Sequence, residues 1–161
     1  MIRLASPEDA SRLAEVHVTS WQHAYRGIFP QRFLERLDME RRERFFAEQI
    51  GAGDAVYVSE SGGEVVAFCW AAPSSEEGWG EILSIYAHPD HWGQGHGRAL
   101  LEAGESHLRE EGYGRALLWV LDSNTRAREF YERQSWKLAT PIKIEEIGGV
   151  QITEVRYEKE L

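Results

Sequence analysis

Three glycines, Gly93, Gly95 and Gly97, stand at alternate positions in the run Trp92-Gly93-Gln94-Gly95-His96-Gly97-Arg98. With no Cβ atoms in the way, successive backbone N–H groups can converge on one anion. A helix that starts directly after the run aims its positive end at the same point. Such a loop seats a pyrophosphate without a lysine. The same glycines would also suit a plain flexible turn. A Walker loop is absent, since no GxxxxGK precedes a Ser or Thr. The dinucleotide fingerprint also fails. Arg98 stands where its third glycine belongs, and Leu117 and Leu118 fall where its acid belongs.

Other reactive types lead elsewhere. Cys69 lies in an apolar strand with no adjacent base, so it reads as a structural thiol rather than an acyl carrier. The six histidines form no HExxH pattern, and no metal is expected. The chain has 18 basic and 27 acidic residues, a net charge of −9. No basic stripe appears, so neither nucleic acid nor membrane is an expected partner. The acidic balance weakly favours cationic acceptors.

The elements around the loop follow from pattern. Met1–Ala5 suits an edge strand. Ser6-Pro7-Glu8-Asp9 is a helix start, with Ser as N-cap and Pro at N1. Helices are expected over about 7–25, 31–50, 97–111 and 124–134. Strands are expected at 1–5, 55–59, 65–72, 81–88, 116–121, 136–145 and 150–158. Glu81, Leu83, Ile85 and Ala87 are expected on one face of the strand before the loop. The order implies an α/β (mixed α+β) fold, a mostly antiparallel mixed sheet of about seven strands with four flanking helices. The 161 residues suit one domain spanning 1–161. The start of the chain has no apolar signal core, so the expected compartment is the cytoplasm.

Two blocks together resemble the GCN5-related N-acetyltransferases (GNAT). One is Leu83-Ser84-Ile85-Tyr86-Ala87-His88-Pro89-Asp90-His91-Trp92-Gly93-Gln94-Gly95-His96-Gly97-Arg98-Ala99-Leu100-Leu101, which resembles their acyl-CoA-binding motif. The other is Asn124-Thr125-Arg126-Ala127-Arg128-Glu129-Phe130-Tyr131-Glu132-Arg133-Gln134-Ser135-Trp136, which resembles their Asn…Phe-Tyr-Glu…Gly-Phe segment. Two positions depart from the pattern. Trp92 stands where Arg or Gln is frequent, and Ser135-Trp136 replaces Gly-Phe.

The resemblance implies acetyl transfer from acetyl-CoA to a primary amine of a small molecule or peptide, by direct attack in a ternary complex. The other reading is a non-catalytic acyl-CoA-binding module, and a homodimer is compatible with either. By the same resemblance, Gly93, Gln94, Gly95, His96, Gly97 and Arg98 hold the phosphates. A backbone N–H among Ile85, Tyr86 and Ala87 polarises the thioester carbonyl. Tyr131 returns a proton to the departing thiolate, or else packs as a core tyrosine. Asn124 holds the pantetheine arm or caps its helix. Glu81 is the candidate base, or else a strand-end carboxylate. Trp21 and Tyr25 border the acceptor slot, or else are core contacts.

Overall fold

A computed structural model describes residues 1–161. In chain order it contains β1 (Ile2–Leu4), a 3-10 turn (Pro7–Asp9), α1 (Ala10–Ala24), α2 (Gln31–Glu35), α3 (Met39–Gly51), β2 (Ala55–Ser61) and β3 (Glu64–Pro73). Then follow β4 (Gly80–Ala87), α4 (His96–Glu110), β5 (Arg115–Leu121), α5 (Thr125–Arg133), β6 (Lys137–Ile147) and β7 (Val150–Glu160). The strands form one seven-stranded sheet in the order β1-β2-β3-β4-β5-β7-β6. Every neighbouring pair is antiparallel except β4–β5, as the strand–loop–helix–strand unit requires.

Both faces of the sheet are covered. On one, α4 packs Leu100, Leu101 and Leu108 against Cys69, Ala71, Ile82 and Leu118. Gly104 allows the helix to lie this close, because a Cβ there would come within 3.0 Å of Cys69 Sγ and Ile82 Cδ1. On the other face, Leu13 and Val16 of α1 and Phe46 of α3 meet Val56, Val58 and Phe68. No helix is long and apolar enough to cross a membrane.

Two expectations are corrected. The helix expected over 31–50 is two helices, which brings the count to five. Asp38 caps the second, its side chain accepting from the Arg41 N–H at 2.9 Å. The apolar residues also serve different cores. Phe33, Leu34 and Leu37 join Tyr25 and Phe29, whereas Phe46 and Ile50 join α1. One straight helix could not reach both.

The second correction concerns β4. Trp70 pairs with Ser84, but the next residue of β3, Ala71, pairs with Ile82. Leu83 is therefore an extra residue, a β-bulge that reverses the alternation. Ile82, Ile85 and Ala87 face α4, while Glu81 shares the opposite side with Ser84 and Tyr86. Glu81 does not share a face with Ile85 and Ala87.

Candidate active site

The parallel pair β4–β5 is bonded only at its start, where Gly80 pairs with Ala116 and Glu81 with Leu117. Beyond that point the strands part, and a cleft of about 690 Å³ opens between them. The glycine loop sits at the end of β4, so all three loop glycines line this cleft. Gly95 caps α4 with φ 87°, a left-handed conformation that disfavours side chains. The N-terminal end of α4, at Gly95, His96 and Gly97, thus borders the opening. The β5-facing backbone groups of β4 beyond Glu81 have no strand partner, and Ile85, Tyr86 and Ala87 line the same cleft. The Ala87 carbonyl is fixed by two donors, Ser20 Oγ and Trp92 Nε1, each at 2.8 Å.

Most of the residues singled out in the sequence meet here. His96 and Arg98 line the cleft. The His96 Nδ1 is tied to Ser59 Oγ at 2.8 Å, and the Arg98 Nε donates to Glu102 at 3.0 Å. The Gln94 side chain folds back on Asp90 and His91 and does not line the cleft. Asn124 caps α5, accepting from the Ala127 N–H at 3.2 Å, and it also lines the cleft. Trp21 and Tyr25 are both wall and core. Trp21 stacks on Phe29, and the Tyr25 hydroxyl lies 3.5 Å from that of Tyr86.

Tyr131 is buried on α5, packed against Phe130, Trp136 and Tyr157, and lines the cleft. Burial, followed by the neighbouring Cys69 and Tyr25, pushes its phenol above the ordinary range. It stays protonated at any working pH. Cys69 is fully buried, and burial pushes its thiol up to about 12, which leaves no thiolate to carry an acyl group.

Glu81 opens on a separate cavity with Ser74, Leu117 and Lys143, and accepts from Ser74 Oγ at 3.1 Å. This cavity touches the main cleft only through Leu83 and Trp119, which line both. Burial raises its carboxyl, while Ser74, Lys143 and Arg156 lower it.

A carboxylate that no sequence motif flags lines the main cleft. Glu154 on β7 pairs with Leu121 of β5 and Lys143 of β6. Burial and the adjoining Glu145 push its carboxyl up to about 7, with Lys143 opposing. No local pattern marks it, because only the placement of β7 beside β5 brings it to the cleft.

The acetyltransferase (GNAT) family model matches residues 16–136. The chain belongs to the GNAT family. Among GNAT relatives it is 36% identical over 110 residues to the uncharacterized N-acetyltransferase YuaI of Bacillus subtilis, an alignment covering 66% of this chain and 63% of that one. It is 31% identical over 129 residues to the mycothiol acetyltransferase of Streptomyces griseus, covering 80% of this chain and 39% of the relative. The chain thus spans less than two thirds of the length of these curated relatives. Solved GNAT folds superpose along the whole chain. The ribosomal-protein-alanine N-acetyltransferase of Brucella melitensis has a TM-score of 0.80 at 20% identity, covering 100% of this chain and 99% of that one. The PaiA N-acetyltransferase of Thermoplasma acidophilum, solved with coenzyme A, has a TM-score of 0.74 at 22% identity, covering 100% and 98%.

Proposed function

We propose that the protein transfers the acetyl group of acetyl-CoA to a primary amine in a ternary complex. The observation that carries this reading is the cleft itself. One opening joins a glycine-rich helix N-terminus, an unpaired strand edge and a buried tyrosine. On this reading the loop and the α4 terminus hold the pyrophosphate, and the pantetheine arm lies in the gap between β4 and β5. An N–H of β4 stabilises the oxyanion, a contact of the kind worth about 2.7–4 kcal/mol. Tyr131 gives its proton to the CoA thiolate as the C–S bond breaks, and the second proton, which leaves the acceptor nitrogen as the amide forms, restores the phenol through solvent.

The acceptor arrives as an ammonium and must lose one proton before its nitrogen can attack the carbonyl. Glu154 is the better placed carboxylate to take it, because it lines the cleft and Glu81 does not. A base poised near neutral pH is also the most effective at this task. The aromatic wall of Trp21, Tyr25 and Phe29, with Ile152 beside it, suits an amine on a small molecule or peptide that carries apolar surface.

The test pairs two measurements. Calorimetric titration should show binding of acetyl-CoA in preference to ATP or NAD. A panel of primary amines should then release free CoA thiol. Binding without release on any amine would favour an acyl-CoA-binding module, and no acetyl-CoA binding would refute both readings.

A further inference from the structure

Trp92 stands directly before the first loop glycine, Gly93, and lines the cleft with it. The indole Nε1 donates to the Ala87 carbonyl at 2.8 Å, which pins the ring at the end of β4. His23, at the end of α1, meets the ring edge-on at 5.0 Å. On the ring lies Arg126 from the first turn of α5, with its guanidinium carbon 3.6 Å from the centroid.

Arg126 lines the cleft together with the loop glycines. Arg98 and Arg133 do so too, but each reaches an acid one turn along its own helix, Glu102 at 3.0 Å and Glu129 at 3.9 Å. Arg126 itself forms no ion pair; desolvation first and the like charge of Arg133 second lower its guanidinium. A guanidinium seated over a ring face leaves its outer N–H donors free to bind phosphate oxygens in pairs. In a chain of net charge −9, such a cation at the mouth of the cleft is where a polyanion finds its counter-charge.

We propose that Trp92 and Arg126 form a clamp in which α5 adds an unpaired phosphate-binding cation beside the glycine loop. Arg126 contacts the phosphates of CoA, and Trp92 is the positioning residue that holds it there. The inference rests on the acetyl-CoA reading above.

The test is titration of CoA into the wild type, Arg126→Ala, Trp92→Ala, Trp92→Phe and the Trp92→Ala/Arg126→Ala double variant, from roughly 0.05 to 0.4 M salt. Arg126→Ala should bind CoA about tenfold more weakly at low salt, with the two affinities converging as salt rises. Trp92→Ala should show the same defect. The double variant should be no weaker than Arg126→Ala alone, since the two residues act as a unit. Trp92→Phe keeps a face for the guanidinium but loses the Nε1 bond to Ala87, and should lie between the wild type and Trp92→Ala. Arg126 is exposed, so Arg126→Ala keeps the test open even if Trp92→Ala fails to fold. Arg126→Ala binding CoA as the wild type does, or weaker by the same factor at every salt concentration, overturns the clamp alone. A wild type that does not bind CoA overturns the acetyl-CoA reading as well.

Discussion

The proposed proton traffic at the cleft divides between a phenol and a carboxylate, and the two are not equally visible in the sequence. Tyr131 lies within a contiguous block of motif, so its candidacy is legible from its neighbours in the chain. Glu154 has no such block around it, and its place depends on β7 lying beside β5. Glu81 is a candidate through the resemblance and through its expected alignment with Ile85 and Ala87, and the extra residue Leu83 breaks that alignment. At this scale the prediction compares the two carboxylates. Glu154→Gln should lower kcat/KM by about 10²-fold at and below neutral pH. The deficit should shrink as pH rises toward the amine's own pKa, because the acceptor then arrives neutral. Glu81→Gln should leave the shape of the pH profile unchanged. A pH–rate profile in which Glu81→Gln, and not Glu154→Gln, shows the pH-dependent loss would return the role to Glu81.

Elements are legible where a local signal sets them. The strand–loop–helix–strand unit declares itself through its glycines, and all seven expected strands are present. What local pattern does not carry is the gap between β4 and β5, which comes from strands that pair for two residues and then part. The break between α2 and α3 also escapes the pattern, although Asp38 is a normal cap, because apolar spacing runs through it. Ser135 illustrates a departure that the fold absorbs. It adopts φ 67° in the turn after α5, so that Trp136 can enter the core and donate to the buried Glu105 at 2.9 Å. A side chain is disfavoured in that left-handed conformation. Ser135→Gly should therefore stabilise the protein by about 1 kcal/mol, read as a higher urea midpoint with unchanged slope. A lower midpoint would mean that the serine contributes an interaction other than backbone geometry.

At the scale of the molecule, an acidic chain folds around a site that gathers cations, and stability and activity respond to pH through different groups. His17 is buried in a ring of Trp21, Phe46, Phe68 and Tyr86. Burial first, and the positive charge of Arg42 second, push its imidazole down to about 3. Between pH about 3 and an unfolded value near 6.5, the unfolded chain binds a proton that the folded one refuses. Stability therefore falls as pH drops through that window. His17→Phe keeps an aromatic ring there and should flatten this acid-side decline in a series of urea melts. An unchanged decline would assign it to other groups. Direct acetyl transfer with Tyr131 as proton donor stands or falls on Tyr131→Phe, with acetyl-CoA affinity and thiol release measured on the same preparation. The account predicts unchanged affinity and a kcat lower by about 10²–10⁴. A kcat near that of the wild type, with acetyl-CoA bound equally well, would contradict it.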